Sequence, residues 1–196
     1  WKTPSHLVKP NTGHKVLVEF QNMDLLKYLI SQNVDNLHLM SRINPEILAE
    51  LHGNGKLMKC LSCDKKFPKS KVWDEDKWGK GYRSQEPHPN QPNCPVCGGR
   101  IISSVINFED PMPVREMEES FLHSQKADIF LVVGSSLSVI PAADLPIEAK
   151  KHGAKIIIIN KENTQHDNIA DIRFYESAGE TLFKILQKIK DKINQN

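Results

Sequence analysis

The sequence predicts an α/β chain built on a parallel sheet, with a small metal-bound module set into its middle. Three observations predict it. Apolar runs of strand length at 25–30, 127–133 and 155–159 alternate with segments of helical periodicity, the pattern of βαβ units. The later two runs are nearly continuous in aliphatic residues, as in strands covered on both faces. Between the first run and the others, Cys60-x2-Cys63 and Cys94-x2-Cys97 bracket a stretch of different composition.

Taken in order, residues 1–13 are rich in Pro, Thr and Asn and read as a connector. Residues 14–21 place Val16, Leu17 and Phe20 on one face, which predicts a short amphipathic helix. The run at 25–30 reads as a buried strand ending in Ser31, Gln32, Asn33 and Asp35. In open α/β sheets ligands bind beyond the carboxyl ends of strands, so this polar cluster is a ligand-site candidate. An ordinary turn accounts for the same residues, since Asn and Asp favour turns. Asn44-Pro45-Glu46 supplies an N-cap, a first-turn proline and an early acid, predicting a helical turn over 46–51 that stops before Gly53. That leaves His52 at the mouth of an element.

Residues 68–93 mix Lys, Asp, Trp, Pro and Gly without periodicity and read as an inserted module. A strand at 101–107 and a helix at 114–124 follow. The strand at 127–133 ends in Gly134-Ser135-Ser136, a helix at 142–151 closes at Gly153, and the strand at 155–159 ends in Asn160. A short strand at 172–174 precedes a last helix at 178–193, where Leu182, Ile185, Leu186, Ile189 and Ile193 fall at helical spacing as core packing. Three strand ends, at 32–35, 134–136 and Asn160, carry polar or glycine residues. Placed in one sheet, they strengthen the case for a ligand crevice.

A net charge of +2 and a pI near 8.3 are too balanced to argue for nucleic acid or an anionic membrane as the main partner. The longest apolar runs are strand-sized, short of the roughly 18 residues that a spanning helix needs. With 39% hydrophobic and 26% charged residues the composition is that of a globular protein, and an intracellular setting, cytoplasmic or nuclear, is expected. The chain begins at Trp1 without a signal-peptide pattern, and reads as part of a longer protein.

The four cysteines form C-x2-C-x30-C-x2-C, and each two-residue spacer lets both thiolates of a pair reach one tetrahedral metal. Two disulfides are the alternative, disfavoured by the lack of any secretory feature. A zinc ion closed in by four sulfurs at Cys60, Cys63, Cys94 and Cys97 has no open position for water, so its expected role is structural. Gly134-Ser135-Ser136-Leu137 lies between a strand and a helix, where small residues admit a ligand and hydroxyls can bind ribose or phosphate oxygens. A tight turn reads equally well, and the glycine-rich dinucleotide fingerprint after a first strand is absent. His52 is one of eight histidines. A lone histidine is usually structural or exposed, but its place beside Gly53 and near the 32–35 cluster makes it a general-base candidate. His14, His38 and His166 read as ordinary. Trp73 and Trp78 read as a local cluster of the module, with a recognition surface as the second reading.

Taken together, Gln32-Asn33-Val34-Asp35-x-Leu37-His38, Glu50-Leu51-His52-Gly53-Asn54, the paired Cys-x2-Cys motifs, Gly134-Ser135-Ser136-Leu137-x-Val139-x-Pro141 and Asn160 resemble the sirtuins, the NAD-dependent protein deacylases. Ser31 before Gln32, Leu48-Ala49 before Glu50, Glu109-Asp110 near Pro113, Leu145-Pro146, His166-Asp167 and Ala170-Asp171 look like the class IV branch, which includes chromatin-associated members.

The resemblance implies a Rossmann-like parallel sheet with helices on both faces, over 1–55 and 100–196, joined to a zinc-ribbon module at 56–99. NAD and an acyl-lysine peptide would meet in the cleft between them. The acyl oxygen attacks C1′ of the nicotinamide ribose, nicotinamide leaves, and an alkylimidate forms. A histidine matching His52 then removes a proton from a ribose hydroxyl, and the products are free lysine, nicotinamide and O-acyl-ADP-ribose. By the same match Asn33 and Asp35 organise the nicotinamide and ribose pocket, with Gln32 on the ribose. Gly134, Ser135, Ser136 and Asn160 line the adenosine half, with Ser177 and Ala178 near the adenine. The backbone around Val105, Asn107, Phe108 and Glu109, and around Ser138 and Val139, would clamp the peptide as an added strand. The implied partner is an acylated lysine peptide or protein, a histone or other chromatin protein among the options. The chemistry suits these residue types, because an oxocarbenium-like state needs polar groups around a ribose and exclusion of water.

Two departures stand out. The family's first strand with its Gly-Ala-Gly turn, and its downstream Pro-Asp-Phe-Arg loop, have no counterpart in this sequence; a protein that truly started at Trp1 would be expected to bind NAD weakly and to show little or no turnover. Asn36 stands where sirtuins usually have glycine, a mild change because Asn tolerates a left-handed backbone. Two alternatives stay beside deacylation: mono-ADP-ribosyl transfer from the same NAD pocket, and a non-catalytic zinc-stapled binding module.

Overall fold

The computed structural model describes residues 8–195. Its helices are α1 (Thr12–Asn22), α2 (Leu37–Met40), α3 (Lys69–Val72), α4 (Glu75–Trp78), α5 (Val114–Lys126), α6 (Leu145–Lys151) and α7 (Ala178–Asn194). Its strands are β1 (Leu29–Ser31), β2 (Leu48–Glu50), β3 (Leu57–Cys60), β4 (Lys66–Pro68), β5 (Ile101–Ser103), β6 (Ile129–Val133), β7 (Lys155–Ile159) and β8 (Ile172–Phe174). The chain forms two compact units. One holds the described residues up to Ile30, Leu37–Ala49 and everything from Arg115 on; the other holds Ser31–Asn36 and Glu50–Val114.

In the first unit β6, β7 and β8 form a parallel sheet in that order, with Ile129 opposite Lys155 and Ile157 opposite Ile172. The period of two along each strand sorts its side chains into two cores. Leu131, Val133, Ile157 and Ile159 face a cluster with Val16, Leu17 and Phe20 of α1 and Leu182 and Leu186 of α7. Phe130, Val132, Ile156 and Ile158 face the opposite cluster with Ala143, Ala149 and Ala154 around α6. Helices therefore cover both faces, as an α/β sheet of apolar strands requires. Coverage thins at the beginnings of β6 and β8, where Ile129 is 60% and Ile172 49% exposed. α1 starts at a reciprocal cap: the Asn11 side chain accepts from the His14 backbone N–H at 3.2 Å, and the Asn11 N–H donates back to His14 Nδ1.

Three expected elements and one expected arrangement differ. The strand at 25–30 shrinks to β1, because the N–H groups of Leu25 and Leu26 both donate to the Phe20 carbonyl and finish the end of α1. The helical turn at 46–51 is one 3-10 turn at Pro45–Ile47, after which Leu48 is extended (φ −119°, ψ 119°) and β2 joins β1. That ladder competes successfully for the backbone of 48–51. The strand at 101–107 ends at Ser103, since the Val105 N–H turns to Ser103 Oγ and the Asn107 N–H to the Asp110 carboxylate. The three polar strand ends do not share one sheet: β1 pairs with β2, while the ends at 134–136 and Asn160 belong to β6 and β7.

The second unit is a three-stranded antiparallel sheet in the order β4-β3-β5. Met58 and Cys60 alternate inward along β3 and pack with Trp73, Cys94 and Ile101. Trp73 and Trp78 meet edge to face at 5.6 Å, so the local-cluster reading of these tryptophans holds.

Candidate active site

The polar segment 32–36 and His52 lie together in the second unit. Ladder geometry puts them there: the Leu51 N–H donates to the Ser31 carbonyl at 2.9 Å, so the residues that follow β1 and β2 emerge side by side. His52 Nδ1 lies 3.0 Å from the Gln32 carbonyl oxygen. A carbonyl only accepts, so Nδ1 carries the proton and Nε2 keeps its lone pair in the neutral ring. That is the tautomer a general base needs. The His52 carbonyl in turn accepts from the Ile106 N–H at 2.9 Å, which fixes the backbone behind the ring.

Gly53 follows with φ +77°, and a Cβ there would lie 1.8 Å from the Ser104 carbonyl oxygen, so no other residue fits beside His52. On the facing segment the Asn33 N–H donates to Ser31 Oγ at 3.1 Å and the Val34 carbonyl accepts from the Gly55 N–H at 2.8 Å. Asn33 is exposed and Asp35 half-buried. The contact to His52 thus comes from the main chain of Gln32, which residue types alone did not reveal.

The sulfurs of Cys60, Cys63, Cys94 and Cys97 lie within 4.8 Å of one another, with Cys60–Cys97 at 3.5 Å and Cys63–Cys94 at 3.7 Å. A tetrahedron with zinc–sulfur bonds of about 2.3 Å has edges of about 3.8 Å, so the donor set fits zinc. Backbone N–H groups of Ser62 and Val96 point at the sulfurs of Cys60 and Cys94, each at 3.4 Å. Burial pushes the Cys60 thiol up, but the backbone amides of Cys63 and Ser62 and the thiols of Cys97 and Cys63 bring it down to about 6. The Cys97 thiol is pushed the other way, up to about 12: the Gly99 amide lowers it, but the thiols of Cys63 and Cys60 raise it more.

In the first unit a cavity of roughly 480 Å³ is lined by Gly134, Ser136, Asn160 and Ala178, together with Lys161, Glu162 and Glu176. Four residues expected in the adenosine half thus share one hollow at the carboxyl ends of β6 and β7. Ser135 instead shapes the turn, its Oγ accepting from the Leu137 N–H at 3.2 Å, and Ser177 stands at the N-cap position of α7 without a side-chain cap bond, its carbonyl accepting from the Thr181 N–H at 3.0 Å.

Arg173 was not singled out by the sequence. Its guanidinium donates to the carbonyls of Asn160 (2.8 Å), Glu162 (2.6 Å) and Phe174, and Nε pairs with Asp167 at 2.9 Å. Burial raises the Asp167 carboxyl, yet bonds from Thr164 and Arg173 hold it below the ordinary carboxylate range. The loop after β7 is thereby fixed from one side chain. An Arg four hydrogen bonds deep leaves no periodic trace in sequence.

The segments expected to clamp a peptide are irregular backbone. In the second unit Phe108 is 91% exposed, Glu109 has φ 73°, and Val105 and Asn107 are half-buried. In the first unit Ser138 and Val139 are exposed, with Ser138 Oγ 2.8 Å from Ser136 Oγ.

A Sir2 family model matches residues 2–141. The chain belongs to the Sir2 family. Among sirtuin relatives, an NAD-dependent protein deacetylase of Thermodesulfovibrio yellowstonii is 41% identical over 98% of this chain and 73% of its own length. NAD-dependent protein deacylase 2 of Archaeoglobus fulgidus is 37% identical over 93% of this chain and 68% of its own length. Of solved sirtuins, Sir2Af2 bound to a myristoylated histone peptide superposes with a TM-score of 0.75 at 35% identity, covering 97% of this chain and 76% of that one. A Sir2–p53 peptide–NAD+ complex gives 0.75 at 29% identity, covering 94% and 72%. The fold is the sirtuin fold, an α/β sheet with a four-cysteine module.

Proposed function

We propose that this sirtuin is an NAD-dependent protein-lysine deacylase that yields free lysine, nicotinamide and O-acyl-ADP-ribose. The observation that carries the proposal is the His52 imidazole, whose Nδ1 lies 3.0 Å from the Gln32 carbonyl oxygen. Its relatives' names and the peptide complexes of its structural neighbours, one with a propionylated peptide, support the reading.

NAD, when bound, supplies an electrophilic sugar carbon and nicotinamide as leaving group. Gly134, Ser136, Asn160 and Ala178 would hold its adenosine half, in a hollow whose rim Arg173 fixes. Gln32, Asn33 and Asp35 would surround the nicotinamide ribose. His52 Nε2 would take the proton from a ribose hydroxyl and so make that oxygen a nucleophile toward the acyl carbon. In the second unit Val105, Asn107, Phe108 and Glu109 would receive the acyl-lysine peptide as an added strand; the resemblance gives the same role to Ser138 and Val139 of the first unit. A histone or other chromatin protein is the proposed target, and an intracellular setting, cytoplasmic or nuclear, suits four free cysteines clustered as a metal donor set. Zinc would be held by Cys60, Cys63, Cys94 and Cys97, where it closes the module and supplies no chemistry.

Mass spectrometry of an acetyl-lysine peptide incubated with the full-length parent protein and NAD tests this. Loss of acetyl with release of nicotinamide and O-acetyl-ADP-ribose is expected, and His52→Ala lowers turnover by about 10²–10⁴-fold with zinc retained. Mass gain on protein without deacylation, or full activity of His52→Ala, overturns it.

A further inference from the structure

Asn36 occupies a left-handed position, φ 68°, at the place where the resemblance points to glycine. Glycine would supply that conformation and nothing else; asparagine tolerates it and brings an amide. Here the amide is used. Asn36 Oδ1 accepts from Asn54 Nδ2 at 2.8 Å, and the same nitrogen donates its second proton to Glu50 Oε1 at 2.7 Å. Asn54 is 1% exposed, and every polar group it has is engaged: Oδ1 accepts from the Lys56 N–H, the backbone N–H donates to Ser104 Oγ, and the carbonyl accepts from that hydroxyl. Asn54 is therefore a fixed post, two residues beyond His52.

We infer that Asn36 is a positioning residue that ties the 32–36 segment to the His52-Gly53-Asn54 turn, and so holds the Gln32 carbonyl on His52 Nδ1. The inference rests on the proposed role of His52 and adds a residue to it. Asn36 touches neither His52 nor the reacting atoms. It anchors the far end of the segment, the Val34 carbonyl is anchored midway by the Gly55 N–H at 2.8 Å, and the near end presents Gln32 oxygen at 3.0 Å from the ring. A hydrogen bond of that length weakens steeply once the carbonyl drifts, and the imidazole is then free to move its proton to Nε2. A base protonated on the wrong nitrogen cannot accept from a ribose hydroxyl.

Asn36→Gly removes the tether and suits the positive φ, so the variant folds. Histidine 15N spectra of the zinc-loaded full chain, with His52 signals assigned by their loss in His52→Ala, read the tautomer directly. Wild-type protein is expected to show a protonated Nδ1 and a bare Nε2 in the neutral ring, and Asn36→Gly a mixture of the two tautomers. Deacylation kinetics are expected to show kcat lower on the order of tenfold, within what a 1 Å misplacement costs, with KM for NAD and peptide unchanged. An imidazole spectrum unchanged by Asn36→Gly overturns the inference whatever the activity does, and so does a loss carried by KM alone. Wild-type protein without turnover sinks the deacylase reading instead, while the spectrum still decides the tether.

Discussion

A Cβ on Gly53 would collide with the Ser104 carbonyl oxygen in a backbone conformation that L side chains avoid. Gly53→Ala is expected to cost more than about 1 kcal/mol of stability, since strain and clash add, and urea unfolding measures it. Asp171 shows the other kind of single-residue control. Its carboxylate takes hydrogen bonds from Lys150 Nζ at 2.6 Å and the Ile156 N–H at 2.8 Å, with Lys155 at 3.3 Å. Lys150 first, then the Ile156 amide, hold that carboxyl far below the ordinary range. A depressed folded value means that the folded protein binds fewer protons than the unfolded chain. The stabilisation is therefore complete above the unfolded value of about 4 and is lost as pH falls through the folded one. Melting temperature should decline below about pH 4, and Asp171→Asn should flatten that limb while lowering the plateau. A wild-type acid limb identical to that of the variant would assign the acid sensitivity to other carboxylates. At this scale the sequence singled out His52, yet its partner is a carbonyl, which every residue carries.

Among elements, α7 was the most legible: of the five apolar positions expected in the core of this 17-residue helix, Leu182 and Leu186 are buried and Ile185 and Ile189 pack against them, whereas Ile193 in the last turn is 57% exposed. Leu182 on that helix is 1% exposed in the core that it shares with α1 and the sheet. Leu182→Ala should destabilise the protein by about 2–5 kcal/mol in chemical unfolding, and a cost below about 1 kcal/mol would show that the site collapses around the gap. Short strands were less legible. Three-residue elements such as β1, β2 and β5 are defined by where their hydrogen bonds go, and those bonds are long-range. Leu25 and Leu26 looked like strand, but the end of α1 claimed their amides first. Asn44-Pro45-Glu46 did start a helical turn, and pairing with β1 stopped it.

At the scale of the molecule the two units have separate cores, with no residue of the Met58, Trp73 and Ile101 cluster in either core of the parallel sheet. Two of that cluster's buried members, Cys60 and Cys94, are themselves expected metal ligands. Chelation of zinc, or Cys60→Ser, should therefore unfold the second core and shift Trp73 and Trp78 emission to the red. Amide protection at Ile156 and Ile158 should persist. Equal loss of protection in both cores would make the sheet dependent on the metal. Periodicity and cysteine spacing determined the α/β class, the tetrahedral sulfur site and the neighbourhood of His52, because those properties reside in residue types at fixed intervals. Which main-chain oxygen orients the imidazole, which guanidinium shapes the hollow after β7, and what Asn36 holds were decided only by folding. Each depends on atoms far apart in the chain, and on backbone groups that are the same in every residue.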